Sequence, residues 1–254
     1  MGISFETLLL VFGRTAGLFI SAPIFNSRQV PIQVKIFLAI MISGIITMVT
    51  PIKIAVPLNT PGYFLCAVVF EFLVGYTLGF VVSVVFASIQ LAGQYMDTQI
   101  GFGIVNVMDP QSGIQVPLIG NFQYILALLV FLGVDGHHLI LQALHESYRL
   151  IPVLGANFDN QFVQFMMQIG AYMFLVAIKI AAPIVVALFI ADVTLGFMAR
   201  IVPQMNIFMV GMPLKIVLGM GVIMAIIPVF IWLFKVVLVR FFGYLDILIM
   251  VLGK

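Results

Sequence analysis

Residues 63–95 read YFLCAVVFEFLVGYTLGFVVSVVFASIQLAGQY, with Glu71 as the one formally charged position. An α-helix rises about 1.5 Å per residue, so this run would measure about 50 Å. The hydrocarbon core of a bilayer is only about 30 Å thick. The stretch predicts a membrane helix that tilts, kinks or continues beyond lipid. The rest of the chain agrees. Of its 254 residues, 63% are hydrophobic and 8% charged, where soluble domains run to about 45–50% and about 25%. A soluble fold of this length could not hide so much apolar surface. The fold class is therefore an all-α integral membrane protein, read as one helical domain over residues 1–254.

Five further apolar segments flank this run: residues 5–22, 34–49, 122–134 (continuing through 137–144), 162–190 and 214–239. A short tail, residues 245–252, follows. Pro23, Pro51, Pro57 and Pro61 punctuate the first half, because proline removes a backbone donor and disfavours helix before it. The amino-terminal segment has no cationic leader and is interrupted by Glu6 and Arg14. It reads as a retained helix rather than a cleaved signal, and Gly2 lacks a myristoylation context.

The net charge of +2 and the absence of a basic cluster exclude a nucleic-acid partner. The single cysteine, Cys66, permits no internal disulfide and reads as a small buried hydrophobe. Basic residues are too scattered to set topology by the positive-inside rule. Instead Arg14, Glu71, Lys179, Asp192, Lys215 and Lys235 fall within or beside apolar runs. Charge at membrane depth is costly, so these side chains should face protein or water. Arg14 and Glu71 are suited to pair between the first and third helices. Lys179 and Asp192, thirteen positions apart, each need a different partner. Gly75 and Gly79 form a small-xxx-small pair that lets helix backbones approach closely.

Between the third and fourth segments lies Gln94-Tyr95-Met96-Asp97-Thr98-Gln99-Ile100-Gly101-Phe102-Gly103-Ile104-Val105-Asn106-Val107-Met108-Asp109-Pro110-Gln111-Ser112-Gly113-Ile114-Gln115-Val116-Pro117. It is too apolar for a water-exposed loop and too rich in breakers for one clean helix. Irregular backbone at membrane depth is tolerated where protein buries it or where it lines a cavity. A re-entrant or pore-lining loop follows, against the plainer reading of a partly apolar surface connection. A second mixed stretch, from Asp192 through Pro203 and Asn206 to Lys215, predicts a broken-helix turn.

Enzymatic motifs are missing. Asp135-Gly136-His137-His138, with His145 and Glu146, contains no His-Glu-x-x-His. Adjacent histidines should point to different helix faces, so hydrogen bonding at an interface is the expected role and no metal site is assigned. There is no Gly-x-Ser-x-Gly elbow, dinucleotide fingerprint or nucleotide-binding Gly-rich loop. No catalytic residue and no cofactor are expected. The 15 methionines read as adaptable core filling.

The order of these motifs resembles the FliR family of flagellar biosynthesis proteins and its counterparts in injectisomes. The resemblance covers essentially the whole chain. It is carried by Arg14 with Ala22-Pro23, by Glu71 followed by Gly75 and Gly79, by Gly93 through Phe102, and by Asp109-Pro110. Gly136-His137-His138 and Asp192-Val193-Thr194-Leu195-Gly196 continue it. Most specific is Arg200-Ile201-Val202-Pro203-Gln204-Met205-Asn206-Ile207-Phe208-Met209-Val210-Gly211-Met212-Pro213-Leu214-Lys215.

The resemblance implies a subunit of the flagellar export gate in the bacterial inner membrane, within the basal body. Its partners would be FliP- and FliQ-like subunits, an associated FlhB-like protein, membrane lipid, and unfolded flagellar proteins in transit. It also implies kinked hairpins: a FliP-like part over about residues 1–190 and a FliQ-like hairpin over about 191–254. A family plug loop would fall on Asn106, Val107, Met108, Asp109, Pro110, Gln111, Ser112, Gly113, Ile114, Gln115 and Val116. The flagellar form is preferred over the injectisome on the match across residues 203–215. The rival reading is a secondary transporter or ion channel using Glu71, Asp97 or Lys179 as coupling groups. An intramembrane enzyme built on His137 and His138, or a scaffold without a pore, are the remaining alternatives.

Overall fold

A computed structural model describes residues 5–27, 30–50, 61–102, 117–204 and 206–253. Among these residues there are seven helices and no strand element. They are α1 (Phe5–Ser21), α2 (Ile32–Val49), α3 (Pro61–Ile100), α4 (Leu118–Gly133), α5 (Gly136–Leu150), α6 (Asn160–Ile201) and α7 (Ile207–Leu252).

The helices begin where local chemistry directs. Asp159 caps α6: its Oδ1 accepts the N–H groups of Gln161 at 2.9 Å and Phe162 at 3.0 Å. Pro31 precedes α2, where its missing donor costs nothing. The fourth apolar segment is not one helix. It bends by 68° between α4 and α5, at Asp135, whose φ of 56° is left-handed. Gly136 follows without a side chain. The sixth segment and the short tail are in turn one helix. Arg240 does not end α7, because a charged side chain leaves the backbone ladder intact. Pro213 and Pro228 lie inside it.

Among the described residues, four helices are long and apolar enough to cross a bilayer, or five if the bent pair counts as one crossing. The six segments are thus not six spans; α1, with 17 residues, falls short. Helices α3, α6 and α7 have 40, 42 and 46 residues, or about 60–70 Å each. That is about twice the hydrocarbon thickness, so each must extend beyond lipid or lie against other protein.

The chain divides into two units, with the long helices passing through both. The first comprises Met1–Val85, Phe131–Gly170 and Leu238–Lys254. Here α1 lies against α3 so closely that a Cβ on Gly75 would collide with the Arg14 backbone, and one on Gly17 with Phe72. The small-xxx-small pair thus serves packing within the chain. Leu10, Ala67 and Val153 meet in a buried cluster beside Phe64, Val68 and Leu154. Cys66 is exposed, not buried, because α3 turns its opposite face to Leu10. The second unit comprises Phe86–Val130 and Ala171–Val237. Phe86 anchors it through edge contacts with Tyr124 and Phe234.

Candidate functional site

The motifs flanking residues 103–116 come together in the second unit. Asp97, on the last turns of α3, is buried. Its carboxylate accepts the Ile119 N–H at 3.1 and 3.2 Å and the Gly120 N–H at 3.3 Å. These amides open α4 and have no partner within their own helix, so Asp97 caps a helix that begins 21 residues later. Gly93 lies against the backbone of Gly120 so closely that a Cβ on Gly93 would collide with it. The residues that flank positions 103–116 are thereby tied to one another.

Two turns of motif from the carboxy-terminal half reach the same place. Gln99 Nε2 donates to Asp192 Oδ2 at 3.1 Å, and Lys215 Nζ pairs with Asp192 Oδ1. Ile100 lies against Gly219, where a side chain would crowd it. Asp192 therefore joins α3, α6 and α7. The break between α6 and α7 is confined to residues 202–206; Asp192 through Gly196 remain helical. The side chains of Lys215 and Asp192 are 23% and 35% exposed, so this brace lies near the surface of the chain. Residues 106–116, where the sequence reading expects a plug, lie outside the described residues.

Arg14 and Glu71 pair as expected, at 2.7 Å and with both side chains almost fully buried. Sequence reasoning missed the rest of their network. Arg14 also donates to Ser147 Oγ at 3.1 Å and to the Ile151 carbonyl at 3.3 and 3.4 Å. Its guanidinium sits 4.2 Å from the centre of the Tyr148 ring, a favourable stacking geometry. The Tyr148 hydroxyl donates to the Val11 carbonyl at 3.0 Å, and the Leu154 N–H donates to Glu71 Oε1 at 3.1 Å. No local pattern joins positions 83 to 137 residues apart, so only the pair itself was readable. A coupling role for Glu71 or Asp97 would require breaking these bonds.

The remaining expected residues stand apart. No described side chain pairs with Lys179, which borders an apolar cleft. The rings of His137 and His138 do not diverge; their centres are 4.2 Å apart. Both occupy the first turn of α5 directly after the left-handed Asp135, which brings Asp135, His137 and His138 within 4.8 Å of one another. The positive end of the α5 dipole opposes a cation there. His145 Nδ1 instead meets the Thr50 hydroxyl at 3.1 Å.

Residues 5–240 match the family described as "Bacterial export proteins, family 1". The "Flagellar biosynthetic protein FliR" of Bacillus subtilis strain 168 is 40% identical over 215 residues, covering 84% of this chain and 82% of that protein. The chain belongs to the FliR family. The FliR of Escherichia coli K12 is 30% identical over 85% of the chain and 82% of its own length. That of Aquifex aeolicus is 28% identical over 87% and 85%. This FliR-family chain is thus a membrane-embedded component of flagellar biosynthesis within an export family, and not an enzyme.

Proposed function

We propose that the chain is a subunit of the flagellar type III export gate in the bacterial inner membrane. With FliP- and FliQ-like subunits it forms a channel for unfolded flagellar proteins, and an FlhB-like protein associates with that core. Residues 106–116 plug the resting pore. One observation supports this reading beyond family membership. The three longest helices exceed the bilayer, yet only 33% and 28% of the most apolar windows of α6 and α7 are buried within the chain. Exposed large hydrophobic side chains also run along α7 from Met209 to Met250, about twice the hydrocarbon thickness, so part of this face lies outside lipid and calls for neighbouring helices. The break at residues 202–206 falls inside the range where a FliQ-like hairpin would begin. The clamp of Asp97 on α4 supports the reading further, because it would give a plug a fixed base.

Co-expression with the neighbouring FliP- and FliQ-like proteins, followed by mass measurement of the particle in mild detergent, tests the assembly. The expected result is a defined hetero-oligomer with one copy of this chain. A stable particle of this chain alone, able to move a small solute after reconstitution, would establish the transporter reading instead.

A further inference from the structure

Two stretches of α6 and α7 match in length and composition, and both lie in the second unit. Residues 173–191 carry one polar side chain, Lys179, and residues 216–234 carry none beyond the indole of Trp232. Each stretch has 19 residues. That is about 28 Å of helix, close to the thickness of the hydrocarbon core. The stretches also lie side by side. Asp192 and Lys215 pair at one end of them. Further along, Lys179, Pro183 and Ile184 line one cleft together with Ile223, Ile227 and Phe230. An antiparallel pair in that register brings Tyr172 level with Lys235 at the other end.

Surface chemistry changes at both ends. At the first, Asp192 and Lys215 neutralise each other while remaining 35% and 23% exposed. Beyond the second, α6 exposes Asn160, Gln161, Gln164 and Gln168, and α7 exposes Arg240 and Asp246. Trp232, the one tryptophan, is 64% exposed and stands one turn before the exposed Lys235. A tryptophan settles at the headgroup level, with its ring against apolar chains and its N–H among polar groups. A lysine just outside it reaches lipid phosphate. Between the two ends the outward side chains are apolar, with Ile178 and Phe189 on α6 and Val217, Met224 and Val229 on α7.

Lys179 is compatible with lipid on this face. In the same register it lies level with Pro228, about 6 Å inward of Trp232, a drop that a lysine stem covers by extending towards the interface. The rival placement sets the hydrocarbon between Lys179 and Arg200. It would wrap the partly exposed Asp192–Lys215 pair in lipid chains, where charge is costly. We propose that the hydrocarbon layer covers the chain from the Asp192–Lys215 pair to the level of Tyr172 and Trp232, with Trp232 and Lys235 in the headgroup layer. The part of α7 after Lys235, with its exposed Val239 and Met250, then stands outside lipid. The placement does not depend on the plug.

Trp232 is itself the probe. The full chain is reconstituted in phosphatidylglycerol vesicles, and its tryptophan fluorescence is quenched in turn by three agents. These are phospholipids brominated at the headgroup end of the acyl chains, phospholipids brominated at the methyl end, and aqueous acrylamide. Trp232 should lose more fluorescence to the shallow bromines than to the deep ones. W232F with Met224→Trp, which moves the probe to the middle of the span, should reverse that order. W232F with Met250→Trp should be quenched by acrylamide and by neither lipid. Stronger quenching of Trp232 by the deep bromines shifts the hydrocarbon along α7 and overturns the proposal, as does lipid quenching of the probe at position 250. A probe at position 224 that neither lipid quenches would put protein rather than lipid over this face, and also overturns it.

Discussion

Arg14 and Asp192 are both charges set in apolar helices, yet the molecule accommodates them in opposite ways. Arg14 has no exposed surface and is enclosed by Glu71, Ser147, Tyr148 and the Ile151 carbonyl. Asp192 remains about one-third exposed and is held by Gln99 and Lys215. A buried ion pair rarely gains net stability over apolar residues, but losing one partner strands the other. The Arg14 network therefore belongs to the fixed interior of the first unit. The Asp192 brace can exchange partners with water or a neighbouring chain at little cost.

The largest effect should come from breaking the fixed side. Arg14→Met should cost about 3–5 kcal/mol, because Glu71 is left charged and buried. Arg14→Met with Glu71→Met should recover a large part of that loss in thermal unfolding of the detergent-solubilised protein. A double variant as unstable as the single one contradicts this account of the pair. Gly75→Leu should be nearly as severe, since α1 must leave α3 to admit the side chain; overpacking costs about 1–3 kcal/mol or more. Loss of accumulated protein in the membrane checks it, and normal accumulation would contradict the close approach.

Asp97→Ala should be intermediate. Hydrogen bonds to a charged group contribute about 1.5–3 kcal/mol, so exchange at the Ile119 and Gly120 amides should quicken by about tenfold or more. Amides around Arg14 should not change. If both regions loosen together, the clamp is not local. The smallest effect belongs to Lys215→Gln. Removing a partly exposed pair should cost at most about 1 kcal/mol, and high salt should mimic it by screening. Unfolding in a salt series compares the two. A loss as large as that of Arg14→Met would place Asp192 in the fixed interior as well.

The same contrast governs what could be read from sequence. The Arg14–Glu71 pair was legible because two opposite charges in apolar runs have few other options. Gly75 and Gly79 were legible as a packing stripe, and Gly17 on α1 supplies the matching surface. Helix ends were less so. Asp97, Thr98 and Gln99 look like the start of a loop after residue 95, yet α3 continues to Ile100. Asp97 and Gln99 find partners on α4 and α6, and Thr98 bonds the Gln94 carbonyl. Tertiary partners thus outweighed local polarity. Asp192 was recognised as needing a partner other than Lys179, but Lys215 could not be chosen over other cations from spacing alone. The bend at Asp135 was read as a continuation, because a left-handed non-glycine residue has no strong sequence signature.

The most direct test of the gate account is the ion conductance of the assembled complex in a planar bilayer, with and without residues 106–116. The account predicts a low resting conductance that rises when those residues are deleted, while the particle keeps its composition. An unchanged conductance in an intact deleted particle would contradict the assignment of this loop as the plug.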